Sequence, residues 1–174
     1  MNSKPTGRTL SKPRSATASA EKEFVFLAGT CGRTIWRKPF IALLEETGTP
    51  YFDPQLPSGV EWEAKHAARE RRELLRASIV VMVVTGSTTG IVSLLELCEL
   101  LTRFNLDNSE EKVLLAHVAA PKRGSGSRPL TRAQQDRLRA IEFLKQRIKP
   151  PRTLVMGSVD DVLEELTRRL KRRT

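Results

Sequence analysis

Ile79-Val80-Val81-Met82-Val83-Val84, then Thr85-Gly86-Ser87-Thr88-Thr89-Gly90, then Ile91-Val92-Ser93-Leu94-Leu95-Glu96: this stretch decides the fold. The apolar run reads as a strand covered on both faces, as strands of parallel sheets are. A small polar loop follows it, and then a helix that carries a carboxylate near its start. In an open parallel sheet, ligands bind in the crevice beyond the carboxyl ends of the strands. A carboxylate delivered there by a strand-loop-helix turn is aimed at a ligand, which makes Glu96 the first candidate functional residue.

Outward from this stretch, strand and helix patterns alternate. Phe24 to Ala28, closed by Gly29, reads as a first strand. Residues 34–47 carry Ile35, Trp36, Phe40, Leu43 and Leu44 at helical spacing and end at Gly48. Pro39 is tolerated in a first turn. Residues 49–54 make a short second strand that stops at Pro54. Residues 61–77 make a charged helix with an expected inner face of Trp62, Ala64 or Lys65, Ala68, Leu74 and Leu75. Beyond the opening stretch, the helix runs over 91–104 and a strand over 112–118. A helix over 131–148 has Thr131 as its cap, and a strand over 153–156 leads to an amphipathic helix over 159–170. Its basic end suits the helix dipole.

Five strands alternating with five helices imply an α/β fold. The expected form is a single-domain, doubly wound five-stranded parallel sheet, Rossmann-like or flavodoxin-like, of order 2-1-3-4-5. That order puts the crevice between strands one and three. The loops there are Gly29-Thr30-Cys31-Gly32 and Thr85 to Gly90. Both are small and polar, which lets backbone approach a ligand.

Composition sets further bounds. A chain of 174 residues suits one domain. Residues 1–22 are rich in Ser, Thr, Pro, Lys and Arg and are expected to be disordered, leaving a folded domain over 23–174. No apolar run is long enough to span a membrane. The basic N-terminus lacks the apolar core of a secretory signal, so a cytoplasmic location is expected. Cys31 and Cys98 are the only cysteines. They make no disulfide framework, and with His66 and His117 they do not suggest a zinc site.

The formal net charge of +10 belongs to the ends. Residues 1–22 hold five Lys or Arg against one Glu, and residues 121–174 hold fifteen against six acids. Between them, residues 23–120 hold ten against thirteen. Basic ends can touch nucleic acid, or they form a solvated, solubilising surface. The turn at 29–32 lacks the third glycine of the dinucleotide fingerprint, and no phosphate-loop Gly-Lys-Ser/Thr is present. No cofactor and no metal are expected.

Phe26-Leu27-Ala28-Gly29, Trp36, Phe52-Asp53-Pro54, Trp62-Glu63 and Ser93-Leu94-Leu95-Glu96-Leu97 form an ordered series. In order and spacing it resembles the nucleoside 2-deoxyribosyltransferase-like superfamily, in its divergent branch, from residue 23 to residue 105. The resemblance implies a nucleoside or nucleotide ligand and a glutamate nucleophile at Glu96. That residue would attack C1′ of the sugar, displace the base and leave a glycosyl-enzyme ester. A second base accepts the sugar in a transferase, and water accepts it in a hydrolase or N-glycosidase. The substrate-binding set would be Gly29, Thr30, Asp53, Trp62, Glu63, Ser87, Thr88, Gly90 and Ser93. A loop such as Gly86 to Gly90 can hold ribose hydroxyls or a 5′-phosphate through backbone N–H groups. Relatives often complete their sites from a neighbouring subunit, so a homodimer is a further expectation.

Other readings of the same residues stay open. Ser93 to Glu96 also fits a capping box, in which Glu96 satisfies only its own helix end. Glu99, one turn on, reads as solvated. Asp53 before Pro54 is also a turn former. Glu63 is also a surface helix residue, and Trp36 and Trp62 are also packing residues. The chain departs from the family pattern as well. Active transferases carry aspartates at the start of the third strand and six residues before the nucleophile, where Ser78 and Gly90 stand here. Tyr51, the only tyrosine, lies on strand two rather than near strand one. Lack of an acid to protonate the departing base removes an aid worth about a hundredfold or more. Three functions are therefore in view: an N-glycosidic enzyme, a catalytically degenerate nucleotide sensor, and a nucleic-acid-associated protein that uses its basic termini.

Overall fold

The computed structural model describes residues 23–31, 35–86, 91–106, 112–121 and 129–172. The expected disordered segment 1–22 lies outside the described residues. Among the described residues, strands and helices alternate along the chain. They are β1 (Val25–Gly29), α1 (Arg37–Glu46), β2 (Tyr51–Phe52), α2 (Ala64–Arg76) and β3 (Ile79–Val84). Then come α3 (Ile91–Leu106), β4 (Val113–Val118), α4 (Arg132–Lys145), β5 (Thr153–Met156) and α5 (Val159–Lys171). The strands form one all-parallel sheet in the order β2-β1-β3-β4-β5. The expected α/β fold and strand order are those observed.

Successive side chains of a strand point to opposite faces, and this sorts the core into two layers. Val25, Leu27, Ile79, Val81, Val83, Val113 and Leu115 pack with Trp36, Phe40 and Leu44 of the α1 side and Val162 and Leu166 of α5. Phe26, Ala28, Val80, Met82, Leu114 and Ala116 pack with Leu94, Leu97 and Leu101 of α3 and Ile141 and Leu144 of α4. Every residue of β3 is buried, which is why that strand reads as an unbroken apolar run. Pro39 falls in the first turn of α1, where its missing N–H removes no helix bond. Thr131 caps α4, its hydroxyl accepting the Gln134 N–H at 3.3 Å.

The expected inner face of α2 needs correction. Trp62 is 63% exposed, Leu75 is 54% exposed, and Ala68 is also exposed. Ala77 is fully buried and leads directly through Ser78 into β3. That junction fixes the phase of the helix. Counting back from Ala77 in helical steps gives Leu74, Glu70 and Ala67 as the row turned inward. The row through Ala68 and Leu75 is equally apolar in sequence but points away from the sheet. Glu73, beside the inward row, is buried and is held by Arg72 at 3.2 Å and Arg76 at 2.7 Å. Among the described residues no helix is long and apolar enough to cross a membrane.

Candidate active site

The crevice between β1 and β3 is a cavity of about 780 Å³, within the size range of small-ligand pockets. Phe26, Ala28 and Gly29 of β1 and Met82 of β3 form its floor. One wall is α2, through Ala67, Glu70, Arg71 and Leu74, and the other is α3, through Glu96, Glu99, Leu100 and Arg103. The segment after β2 supplies a rim of Pro54, Gln55, Leu56 and Ser58, and Trp62 and Cys31 complete the lining.

A frame of buried hydrogen bonds fixes the β1 end of this cavity. Gly29 has φ +118°, and a Cβ there would lie 2.1 Å from the Val83 carbonyl oxygen, so only glycine fits. Thr30 is buried, and its N–H donates to the Val83 carbonyl at 2.9 Å while its Oγ1 accepts the Thr85 N–H at 3.0 Å. Its carbonyl accepts from Trp36 Nε1 at 3.0 Å and from Arg37 Nη1 at 2.8 Å. Arg37 is only 2% exposed, and its Nη2 donates to the Gly29 carbonyl at 3.2 Å. Its Nε lies 3.0 Å from Asp53 Oδ1, close enough to pair but off the line a hydrogen bond requires. Asp53 Oδ1 also accepts the Gln55 N–H at 3.0 Å, an Asx turn. One buried guanidinium thus ties the loop after β1 to the loop after β2. Arg137 of α4 does similar work next door, with Nη2 donating to the carbonyls of Thr85 at 2.7 Å and Ala119 at 3.1 Å.

Three residues of the sequence-expected set line the cavity: Gly29, Trp62 and Glu96. Thr30 and Asp53 do not, because their polar groups are engaged in the frame just described. Glu63 stands at the start of α2, where its N–H donates to His66 Nδ1 at 2.9 Å and its exposed carboxylate pairs with Lys65 at 2.9 Å. Ser93 is buried two residues inside α3, so neither it nor Glu96 occupies a cap position, and the capping-box alternative falls away. Trp36 packs: it is 6% exposed, meets Phe40 edge-on at 5.7 Å and carries the Arg37 guanidinium 4.3 Å from its ring centre. Ser87, Thr88 and Gly90 lie outside the described residues.

Sequence reading missed Glu70, Arg71 and Arg103, while Glu99, read as solvated, is exposed. Glu99 lines the cavity and is paired with Arg103. Glu70 was within reach of the sequence, since the helix phase counted back from the Ala77-Ser78 junction puts it on the inward row.

The electrostatics separate these groups. Glu96 is open to solvent, yet partial burial of its carboxyl pushes it above the usual carboxylate range. The charges of Glu70 and Glu99 push it further, and Arg37 pulls it back. Burial also raises Glu70, against a pull from His66. Cys31 is raised by burial, which outweighs the Arg37 guanidinium beside it, so it stays a thiol at neutral pH rather than a ready nucleophile.

The fold is thus a doubly wound α/β domain with a carboxylate-walled cavity of small-ligand size at its switch point. Residues 22–105 match the family described as nucleoside 2-deoxyribosyltransferase like. That span contains every residue that lines the cavity, and over it the chain is similar to that family. The chain is also similar to a conserved protein from Enterococcus faecalis V583 known from a crystal structure, at 16% identity. The likeness covers 88% of this chain and 99% of that one, with a TM-score of 0.47. Among curated proteins there is no match.

Proposed function

We propose that the protein cleaves or transfers the N-glycosidic bond of a nucleoside or nucleotide, with Glu96 as the nucleophile. The observation that carries this reading is the position of Glu96 in the α3 wall of the cavity, over β1 and β3, inside the family-matched span. The ionised carboxylate attacks C1′, the C1′–N bond breaks, and its electron pair leaves with the base. The resulting ester passes the sugar to a second base or to water. Arg37 favours the ionised form needed for attack. Gly29 lets the ligand approach β1, and Trp62 offers a ring face to the base at the rim. Thr30 and Asp53 act through the Arg37 frame, Glu63 by fixing the start of α2, and Ser93 by seating α3. Ser87, Thr88 and Gly90 are the proposed contacts to ribose or phosphate.

The test is release of free base from nucleosides, nucleotides and NAD, followed by liquid chromatography. Glu96→Gln is expected to lower turnover by roughly 10⁴-fold or more while the ligand still binds. Turnover retained in that variant overturns the reading. One observation favours a second reading, a nucleotide sensor without turnover. Ser78, which replaces the expected acid, accepts the Phe24 N–H at 3.1 Å and donates to the Phe24 carbonyl at 3.3 Å, so it serves the sheet. A sensor predicts nucleotide-dependent thermal stabilisation with no base released by the wild-type chain.

A further inference from the structure

We propose that Glu70 is the second catalytic carboxyl of this cavity, the group that gives a proton to the departing base and later takes one from water. The inference rests on the proposed glycosidic function and deepens it. It starts from the phase of α2. A surface helix turns its apolar row to the core and its charges to solvent, yet Glu70 shares the inward row with Ala67 and Leu74 and lines the cavity with them. Carboxylates are almost never turned inward unless paired. Glu73, the other acid on this side of α2, follows that rule through Arg72 and Arg76. Glu70 instead faces the cavity, across from Glu96.

The surrounding charges place its carboxyl at the reacting end of the cavity. Its charge is felt by Glu96 on α3 and also by the Cys31 thiol just beyond β1. From its own helix Glu70 faces His66 and Arg71, from α3 it faces Glu96, Glu99 and the Arg103 paired to Glu99, and from the β1 end it faces Cys31. Burial raises both Glu70 and Glu96, and mutual repulsion makes loss of the second proton harder than loss of the first. A proton is therefore lost less readily from this pair than from a free carboxyl. A base nitrogen that accepts a hydrogen bond from Glu70 selects the arrangement with the proton there and Glu96 ionised. This supplies the acid that Ser78 and Gly90 cannot.

The step balances. Glu96 forms the C1′–O bond, the C1′–N bond breaks, and the Glu70 proton moves to the base nitrogen that receives the electron pair. Water then attacks C1′, Glu70 takes its proton, the ester bond breaks towards Glu96, and both carboxyls return to their starting state.

The experiment compares two classes of substrate on the full chain. Ordinary purine nucleosides or nucleotides need a proton on the base as it leaves, whereas N7-methylated ones carry a cationic base that leaves without it. Glu70→Gln, which keeps the side chain's shape, is expected to lower single-turnover base release from ordinary substrates about 10²-fold or more and to leave the first turnover of N7-methylated substrates within a few-fold of wild type. The alkaline fall of kcat/KM expected for the wild type with ordinary substrates should also disappear. Glu96→Gln should abolish release from both classes. Equal losses on both classes in Glu70→Gln, with an active wild type, overturn the role of Glu70 alone. A wild-type chain inert on both classes overturns the glycosidic function and the role of Glu70 with it.

Discussion

Glu165 on one face of the sheet and Glu70 and Glu96 on the other meet opposite electrostatic surroundings. On the α1 and α5 side, acidic groups are neutralised by partners. Arg37 stands beside Asp53, and Glu165 of α5 accepts from Arg168 Nε at 2.7 Å and Arg169 Nε at 2.6 Å. Burial alone would raise Glu165, but those two guanidinium groups outweigh it and hold the carboxyl below its usual range. On the α2 and α3 side, Glu70 and Glu96 face a cavity and each other, and both are raised. The comparison teaches that the sign of the shift divides a carboxylate paired within the fold from those that face the cavity. A fold optimised for stability alone would have paired all of them.

The same division applies to packing, and there the largest effect is expected. Phe40 is fully buried between α1 and the sheet, so Phe40→Ala should cost about 3–5 kcal/mol. Trp62 is as large an aromatic but stands at the cavity rim, and Trp62→Ala should change stability by less than about 0.5 kcal/mol. The second variant should instead weaken nucleotide-dependent thermal stabilisation. Thermal melts with and without nucleotide check both. Similar stability losses in the two variants would break the contrast between a packed face and an open one.

How much of this was legible in the sequence follows the same line. β3 and β5 carry the limits read from sequence, and the strand order was as expected, because buried parallel strands and their alternation with helices are written in hydrophobic pattern. Glu96, which lines the cavity, stood out in the sequence because it follows a strand-loop turn. Its partner Glu70 was missed because α2 carries so many charges that two apolar rows compete, and only the Ala77 junction decides between them. Asp53 was ambiguous for another reason. Its partner Arg37 lies sixteen positions earlier, and nothing local announces that pairing.

A smaller effect tests the cavity side directly. A carboxyl raised in the folded state binds more protons there than in the unfolded chain, so stability falls as pH rises through the window above 4.5. Glu96→Gln and Glu70→Gln remove that penalty. Each should be more stable than wild type at neutral pH, by at most about 1 kcal/mol, or roughly 2–4 °C in Tm, since both groups are partly solvent-screened. The gain should vanish below pH 4.5, where the wild-type carboxyls are protonated in both states. A loss of stability at neutral pH would mean that these acids hold the fold together, and the distinction drawn from their shifts would fail.

The smallest effect has the opposite sign and makes the comparison internal to one protein. Glu165 is held low when folded, so the unfolded chain binds more protons just below 4.5, and its contribution is present above that pH. It is lost as pH falls through the lowered folded value. Glu165→Gln should therefore cost about 0.5 kcal/mol at neutral pH, the worth of two partly buried helix pairs after screening, and converge with wild type in acid. Melting curves of Glu165→Gln and Glu96→Gln across pH 3–8 should then lie on opposite sides of wild type at neutral pH and meet it at the acid end. One carboxylate gives up solvation for a guanidinium and stabilises the fold. The other gives up solvation with only a partial offset from Arg37, and its charge costs the fold stability at neutral pH.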